Sequence, residues 1–391
     1  MSVKLGITKF LEDPQAYAAG APQRGRPAGP GKLRVGVVAN YNAIDEHAVP
    51  IIRAIAAHPC LHLAAIYSAE HGLWGCEQAG VKLAGSVDPH TGARVFSLYG
   101  DVNRPTPEML EDVDLLLFDG NDVGSRYWTY LSTMALCIEA AAEAGKPIIV
   151  TDRPNPLGGA AVEGNVLDLR YRSFVGFLPI PIRHGMTPGE LAKMHASSVA
   201  AKSYLTVVPV DGWHRRMLFP ETGLFWTATP NMPDFETALL YPGTCLFEGT
   251  NCSEGRGTTK PFKLIGAPWL DALSLADFLN SVGLEGVRFR PAHFRPTFSK
   301  HSGAECAGVE LYITDPRRIQ PLRVGLEILS AVHKQNPDRF SWNAPFIDRL
   351  AGGPDLREAI DRGRTAEEIL RSWAPQLDEF LSARKGYLLY D

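Results

Sequence analysis

Short apolar runs alternate with segments of helical spacing in the first half of the chain. Strands are predicted where valine, leucine and isoleucine predominate, at 33–40, 61–68, 94–100, 113–119 and 147–152. Helices are predicted at 45–57, from Thr106-Pro107, at 129–145 and at 188–200, the last with a capping box formed by Thr187 and Glu190. Strands that are apolar on both faces and alternate with helices indicate a parallel sheet with helices on both sides.

The pattern changes from about residue 205 onwards, where aromatic residues, prolines and glycines become frequent. Residues 243–262 are predicted to be mostly loop, followed by helices at 274–282, 321–334 and near 365–384 and a strand at 308–314. The sequence therefore predicts an α/β protein with three parts. These are an N-terminal segment and linker (1–32), a Rossmann-like parallel-sheet domain (33–204) and a smaller α+β C-terminal domain (205–391).

Charge and hydropathy exclude several classes of partner. The net charge is −4 without any block of like charges, which argues against a nucleic-acid partner and against docking on an anionic membrane. No apolar stretch approaches the roughly 20 residues that span a bilayer. Glu12 and Asp13 interrupt the N-terminal segment where a signal peptide would be apolar. A cytoplasmic location is expected, and the oligomeric state is not indicated.

The six cysteines show neither a CxxC pair nor the spacing of zinc ligands. In a reducing compartment they are predicted to be buried free thiols. Cys245 and Cys252 are close enough in sequence to pair if the protein were exported.

Polar and aromatic side chains gather where the predicted strands end. The carboxyl ends of parallel strands share one edge of a sheet, where open α/β folds bind ligands beside a switch in strand order. The residues that follow the five strands are Asn40, Tyr41 and Asn42; Glu70, His71 and Trp74; Tyr99; Asp119, Asn121, Asp122, Arg126, Tyr127, Trp128 and Tyr130; and Asp152, Arg153 and Asn155. Any one of them can be a cap or a loop ion pair, but together they indicate a binding site.

Neither a nucleotide cofactor nor a metal is expected at this edge. The turn after the first strand contains neither GxGxxG nor a Walker motif. Glu70 and His71 are adjacent, so in an extended chain they point to opposite sides, and no HExxH motif occurs. For the lone His184, orienting the loop before its helix is favoured, and a role as a ligand or catalytic group stays open. We therefore expect a site without cofactors.

Carboxylates, arginines and aromatic rings without a cofactor suit the hydrolysis of carbohydrates. A glycosidic bond needs an acid for the leaving oxygen, aromatic rings cover the apolar face of a sugar, and arginine binds carboxylates in a bidentate manner. These residues alone leave an esterase, an isomerase and a sugar-binding protein open. An amidase or esterase with a serine nucleophile would carry GxSxG, which is absent.

Specific motifs run along the chain from about residue 33 to the C-terminus. In the first half they are SAEHGLWG (68–75), TGARVFSLYG (91–100), PTPEML (105–110), FDGNDVGSRYWTYLSTM (118–134), TDRPNPLGG (151–159), VEGNVLD (162–168) and PIRHGMTPGELA (181–192). The second half has YPGTCLFEGTNCSEGRGTTKPF (241–262), GAPW (266–269), PTFSKHSG (296–303) and YLLY (387–390). In these motifs the chain resembles the NamZ-type exo-β-N-acetylmuramidases, formerly a domain of unknown function.

The resemblance implies hydrolysis of the β-1,4 bond that follows a non-reducing-end N-acetylmuramic acid in fragments of peptidoglycan. It also implies an active site in a cleft that the C-terminal domain closes. The glutamate of the family's EHG motif, the acid/base, corresponds to Glu70. Two departures are the Gly120-Asn121 pair, where the family often has Ile-Gln, and the expected lack of an export signal.

Several roles remain open within this interpretation. The partner of Glu70 can be Asp119, Asp122 or Glu254, or the substrate's own acetamido group, so retention and inversion are both open. His71 is also predicted to be a catalytic residue. Arg126, Arg153 and Arg256 are candidates for binding the lactyl carboxylate of muramic acid. Trp74, Tyr127, Trp128 and Tyr130 are candidate sugar platforms. The predicted substrate-binding residues also include Asn40, Asp152, Asn155, His184, Asn251 and Glu254. The alternative function is a sugar-binding protein without turnover.

Overall fold

The computed structural model describes residues 3–18, 32–81, 85–227 and 229–391. Its strands, in chain order, are β1 (Leu33–Val38), β2 (Leu61–Ser68), β3 (Ser86–Val87), β4 (Arg94–Ser97), β5 (Leu115–Phe118), β6 (Ile148–Thr151), β7 (Glu163–Val166), β8 (Pro181–Arg183), β9 (Leu205–Val208), β10 (Leu264–Ala267), β11 (Val287–Phe294) and β12 (Cys306–Ile313). The helices are α1 (Gly6–Glu12), α2 (Pro14–Ala18), α3 (Ile51–Ala57), α4 (Thr129–Glu143), α5 (Pro188–Ser198), α6 (Phe235–Thr244), α7 (Ala272–Ser281), α8 (Pro321–Gln335), α9 (Ala344–Ala351), α10 (Asp355–Asp361) and α11 (Ala366–Arg384).

The main sheet has seven strands in the order β3-β4-β2-β1-β5-β6-β9. Every neighbouring pair is parallel except β3 and β4, which pair antiparallel at one edge. The chain adds β2 on one side of β1 and later adds β5 on the other side. The strand order therefore reverses at β1, and this is where an open parallel sheet binds ligands.

Both faces of the sheet are buried, as the apolar runs predict. Alternate residues such as Leu115 and Leu117 pack on one face, whereas Leu116 and Phe118 pack on the other. Helix α3 covers the first face together with α1, and α4 and α5 cover the second. The predicted fold class is confirmed.

The N-terminal segment and the last strand both belong to this layer. Ile7 and Phe10 of α1 are buried in the same cluster as β1, and β9 pairs in parallel with β6. The main sheet thus continues past the domain boundary predicted at 204. Most of the predicted linker, residues 19–31, lies outside the described residues.

The C-terminal part contains a smaller antiparallel sheet of β10, β12 and β11, packed against helices. The segment predicted as loop at 243–262 begins with the end of α6 and a 3₁₀ helix at Cys245–Gly249 before it becomes irregular. The C-terminus then returns to the first domain, where the Tyr390 hydroxyl donates a hydrogen bond to Asp152 at 2.6 Å.

Two local predictions are wrong for identifiable reasons. The helix predicted at 45–57 begins only at Ile51, because Asp45 Oδ1 accepts the N–H groups of His47 and Val49 and forms a separate turn before Pro50. The cysteines are all free, but Cys60 and Cys76 are exposed rather than buried.

Candidate active site

Glu70 lies just beyond the carboxyl end of β2, next to the switch in strand order. Its side chain is buried, and its two oxygens accept hydrogen bonds from different elements. The Thr129 hydroxyl donates to Oε2 at 2.6 Å, and the Gly80 N–H donates to Oε1 at 3.0 Å. The Tyr130 hydroxyl donates to the Glu70 carbonyl oxygen at 3.1 Å and itself accepts from Asn40 Nδ2 at 2.5 Å. The start of α4 and the end of β1 thus fix both the carboxyl group and the backbone of Glu70.

Glu70 lines a pocket between the two domains, here called the Glu70 pocket, which opens to solvent. Its walls combine aromatic rings with a few polar groups, as is common for small-molecule sites. The other residues that line it are His71, Ala79, Tyr127, Trp128, Thr129, Tyr130, Thr229, Asn231, Met232, Tyr241, Arg256 and Phe262. Among the described residues, Glu70 is the only one in this lining that has a carboxylate side chain.

His71 shares the pocket with Glu70, although an extended chain would place the two on opposite sides. His71 has a φ of 72° and Gly72 has a φ of 75°, so the backbone turns in the left-handed region. His71 Nδ1 lies 2.6 Å from the carbonyl oxygen of Glu77 and therefore carries the proton, because a carbonyl only accepts. Burial lowers the pKa of His71. The ring is thus neutral at neutral pH, with Nε2 as an acceptor.

Arg256 brings a positive charge to the pocket from the C-terminal domain. Its Nη2 donates to Glu248 Oε1 at 2.6 Å, its Nε lies 3.4 Å from Glu254 Oε1, and its guanidinium lies over the Phe262 ring at 5.0 Å. Lys300 Nζ binds the other oxygen of Glu254 at 3.0 Å. The charges of Arg256 and Lys300 thus balance those of Glu248 and Glu254. Within the described part of the chain, Arg256 Nη1 makes no hydrogen bond or ion pair.

Glu254 is nearly inaccessible behind this cluster, and it does not line the Glu70 pocket. The prediction that Glu254 supplies the second catalytic group therefore needs correction. The carboxylate instead helps to orient Arg256.

Asp119 forms a buried ion pair with Arg153. The distance from Arg153 Nε to Asp119 Oδ1 is 2.5 Å, and the Thr151 hydroxyl donates to Oδ2 at 2.7 Å. Arg153 Nη2 also donates to the carbonyl oxygen of Ile44 at 2.8 Å. Burial raises the pKa of Asp119, and the charge of Arg153 opposes that shift. The prediction of Asp119 as a catalytic partner is corrected, because its carboxylate is fully enclosed and both its oxygens are engaged.

Asp122 lines a second pocket, together with Asn121 and Arg153, and does not line the Glu70 pocket. The Trp128 indole, which lines the Glu70 pocket, donates a hydrogen bond to the Asn121 carbonyl at 2.6 Å. Asp122 Oδ2 lies 3.3 Å from Nε2 of the buried His184. Asp122 is thus not beside Glu70, and neither Arg153 nor His184 lines the Glu70 pocket.

Arg126 is a structural residue of the domain interface. It is one of the largest fully buried side chains, and its guanidinium donates to the carbonyl oxygens of Asn165, Ile180 and Leu350 at 2.7, 3.0 and 2.9 Å. Burial lowers its pKa to about 10. The prediction that Arg126 binds the lactyl group is corrected, because the side chain reaches none of the pocket.

Asp152 and Asn155 also have structural tasks. Asp152 is fully buried and accepts hydrogen bonds from the Thr187 hydroxyl at 2.7 Å, the Gly189 N–H at 2.7 Å and the Tyr390 hydroxyl at 2.6 Å. Asn155 Nδ2 donates to the Met186 carbonyl at 2.9 Å. Both predictions of substrate contact are corrected, since these groups join β6 to α5 and to the C-terminus.

Asn251 is engaged in a loop of the C-terminal domain. Its Nδ2 donates to the Arg339 carbonyl at 2.7 Å, and its Oδ1 accepts the Ser341 N–H at 3.0 Å. Asn251 does not line the Glu70 pocket, so its predicted role in substrate binding is corrected as well.

The aromatic candidates divide into two groups. Tyr127, Trp128 and Tyr130 are buried and form the wall of the Glu70 pocket. Trp74 is 45% exposed and lies outside the wall, stacked on Tyr41 with ring centroids 4.5 Å apart.

Comparison with known proteins decides the family. Residues 35–236 match the family described as "Exo-beta-N-acetylmuramidase NamZ, N-terminal", and residues 239–390 match "Exo-beta-N-acetylmuramidase NamZ, C-terminal". The chain belongs to the NamZ family. A relative from Bacillus subtilis (strain 168), "Peptidoglycan beta-N-acetylmuramidase NamZ", is 45% identical over 359 residues, which cover 91% of this chain and 87% of the relative. The resemblance stated from the motifs is confirmed.

Two solved structures share the fold of this chain. Two proteins of Bacteroides fragilis NCTC 9343, described as members of the DUF1343 family, align over the full length of this chain. One has a TM-score of 0.88 at 34% identity and 100% coverage of its own chain. The other has a TM-score of 0.74 at 29% identity and 99% coverage.

Several residues of this NamZ site were missed by sequence reasoning. Thr129, Gly80 and Glu248 act on Glu70 or Arg256, and Thr229 and Asn231 line the pocket. The run Pro230-Asn231-Met232-Pro233 is a signal that could have been used, because an Asn held between prolines suits a fixed polar contact.

Clusters of metal ligands and long apolar helices are both absent from the described residues. In the parts of the chain that the structure describes, no group of three His, Cys, Asp or Glu side chains could hold a metal ion. The same parts contain no helix long and apolar enough to cross a membrane. The cytoplasmic location stays a prediction.

Proposed function

We propose that this chain is an exo-β-N-acetylmuramidase that hydrolyses the β-1,4 bond after a non-reducing-end N-acetylmuramic acid, with Glu70 as the acid/base. The observation that carries this proposal is Glu70 itself, held at the switch point of the sheet in a pocket with aromatic walls. Membership of the NamZ family and the name of the B. subtilis relative support the substrate class.

The first step is protonation of the leaving group. Protonated Glu70 donates its proton to the glycosidic oxygen as the bond from C1 to that oxygen breaks. The hydroxyl of Thr129 both donates and accepts hydrogen bonds, so it can hold the carboxyl group in either protonation state. The Gly80 N–H keeps the other oxygen in place.

The second group is proposed to come from the substrate. Glu70 is the only carboxylate among the described residues that line the pocket. The pocket therefore does not supply the two acids of the usual scheme. Attack of the 2-acetamido oxygen on C1 replaces a protein nucleophile, which is a recognised exception to that scheme. Water then attacks C1 as Glu70 takes its proton, the acetamido group is restored, and the configuration at C1 is retained.

His71 suits the acetamido group in this scheme. Its neutral ring presents Nε2 as an acceptor, because Nδ1–H is bound to the carbonyl of Glu77. Nε2 can accept the acetamido N–H and so raise the negative charge on the attacking oxygen. His71 thereby keeps the catalytic role predicted for it.

Arg256 is proposed to recognise the lactyl carboxylate. It lines the Glu70 pocket, unlike Arg126 and Arg153. Its Nη1 is available within the described residues, while Glu248 and Glu254 fix the rest of the guanidinium. A charge-assisted hydrogen bond to the lactyl group contributes about 1.5–3 kcal/mol.

The test is the incubation of the wild-type protein with a chromogenic β-N-acetylmuramide and, separately, with the matching β-N-acetylglucosaminide. We expect release of the chromophore from the muramide and little from the glucosaminide. Binding of N-acetylmuramic acid without turnover of either substrate would instead indicate a sugar-binding protein and would contradict the proposal.

A further inference from the structure

Trp74 has an exposed indole ring that packs against other side chains. One face stacks on the Tyr41 ring at 4.5 Å with an interplanar angle of 14°. His90 packs against it edge-on at 5.5 Å and 84°. Tyr41 is held in turn, since its hydroxyl donates to Asp88 at 3.0 Å. The side chain nevertheless remains 45% exposed, so it is ordered but not buried.

The backbone around Trp74 is tied to the catalytic end of the sheet. The Tyr41 N–H donates to the Leu73 carbonyl at 2.8 Å, which joins this loop to the residues after β1. The Gly75 N–H donates to the Gly72 carbonyl at 3.1 Å and closes a turn directly after Glu70 and His71. Trp74 follows Glu70 by four residues, so the two Cα atoms lie within about 14 Å of each other.

The chemistry of the reaction decides which part of the substrate meets this loop. A general acid stands beside the leaving-group oxygen, because it protonates that oxygen in the transition state. The loop that carries Glu70 therefore runs along the leaving saccharide, whereas the terminal muramic acid occupies the Glu70 pocket. An exo-acting enzyme leaves the rest of the glycan outside the pocket, and Trp74 is an exposed residue of this loop that does not line the pocket.

We propose that Trp74, supported by Tyr41, is a binding platform for the leaving saccharide of the peptidoglycan fragment, outside the Glu70 pocket. The inference rests on the proposed function. A partly exposed aromatic ring matches the apolar face of a pyranose. The stacked Tyr41 and the edge of His90 hold the indole in one orientation before the sugar arrives, so that little side-chain entropy is lost on binding.

The experiment compares two substrates on wild type, two Trp74 variants and one control variant. The substrates are β-N-acetylmuramyl fluoride, whose leaving group carries neither sugar nor ring, and a tetrasaccharide with muramic acid at its non-reducing end. The proteins are wild type, Trp74→Ala and Trp74→Phe. Phe278→Ala is the matched control, because Phe278 is an aromatic residue of similar exposure, 42%, on α7 of the C-terminal domain.

The expected result is a selective loss on the longer substrate. Trp74→Ala should lower kcat/KM for the tetrasaccharide by about 5- to 30-fold, mainly through KM, and leave the fluoride within about twofold. Trp74→Phe should restore part of the loss, and Phe278→Ala should behave as wild type. An equal loss on both substrates would show that Trp74 only supports the Glu70 loop, and no loss on either would also overturn the platform. Wild-type protein that cleaves neither substrate would contradict the proposed function itself.

Discussion

The hydroxyl of Thr129 donates a 2.6 Å hydrogen bond to Oε2 of Glu70, which joins the first residue of α4 to the loop after β2. The two residues are 59 positions apart in the chain, and both are buried. Helix α4 packs on the sheet through Leu131, Met134 and Ile138. The helix thereby holds the carboxyl group in place in the Glu70 pocket.

Loss of this hydrogen bond should reduce turnover without unfolding the protein. Thr129→Val keeps the shape of the side chain and removes the hydroxyl, so the Glu70 carboxyl group loses the hydrogen bond at Oε2. We expect kcat for the muramide to fall by about tenfold, equivalent to about 1.4 kcal/mol, with a smaller change in KM. Thr129→Ser keeps the hydroxyl and should retain most activity. Equal activity of the Val and wild-type proteins would show that the contact does not position Glu70.

Replacement of Arg256 should alter specificity. Arg256→Met keeps much of the aliphatic length and removes the guanidinium that we assign to the lactyl carboxylate. Turnover of the muramide should fall by roughly 10–150-fold, whereas weak turnover of the glucosaminide stays level or rises. Kinetics with both substrates measure this. A proportional loss of the two activities would place lactyl recognition elsewhere.

Replacement of Arg153 should affect stability rather than specificity. Arg153→Met leaves the carboxylate of Asp119 buried without its partner, and breaking a buried pair in this way costs about 3–5 kcal/mol. Urea unfolding should show the corresponding shift. Arg170→Met is the control, because the pair of Arg170 with Asp168 is exposed and its loss should leave the midpoint nearly unchanged. An unchanged midpoint for Arg153→Met would contradict the structural role.

The buried carboxyl of Asp152 should make stability depend on pH. Burial raises its pKa from the ordinary value of 3.8 to about 7, although hydrogen bonds from Tyr390, Thr187 and Gly189 favour the ionised form. Between about pH 4 and pH 7 the folded protein therefore holds a proton that the unfolded chain has released. This contribution to stability is complete below about pH 4 and is lost as the pH rises through about 7, with a slope of about 1.4 kcal/mol per pH unit.

Comparison with Asp152→Asn isolates that contribution. The variant lacks the titrating group, and all other groups cancel in the difference between the two proteins. The free energy of unfolding, measured by urea titration from pH 4.5 to 8, should fall with pH more steeply for wild type than for the variant. Parallel curves for the two proteins would show that Asp152 is ionised throughout this range.

The sequence predicted the layers of the fold and the edge of the sheet that carries the site. Strands β1, β2, β5 and β6 are continuous apolar runs, because both faces of the sheet are covered, and such runs are visible in a single sequence. The short β3 and the antiparallel pair of β7 and β8 were missed, since strands of two to four residues carry too little periodicity.

The individual roles at that edge depended on tertiary packing. Arg126 and Arg256 both lie in loops that contain polar residues and glycines. Arg126 nevertheless donates hydrogen bonds to three backbone carbonyls, whereas Arg256 lines the Glu70 pocket. Asp152 lies at the same edge as Glu70, but the sheet order places β6 next to β9, where α5 and Tyr390 cover its end. Strand order and the return of the C-terminus are not local properties, so no local pattern could separate these residues.

The most direct test of the central claim is the turnover of a muramic acid–glucosamine disaccharide by wild type and by Glu70→Gln. The natural leaving group needs protonation, so the Gln variant should lose about 10²–10⁴-fold in kcat while its unfolding midpoint stays close to that of wild type. Glu77→Gln is the matched control in the same loop, because the contact of Glu77 with His71 uses its backbone carbonyl, and it should stay active. Near-normal release of N-acetylmuramic acid by Glu70→Gln would contradict the assignment of Glu70 as the acid/base.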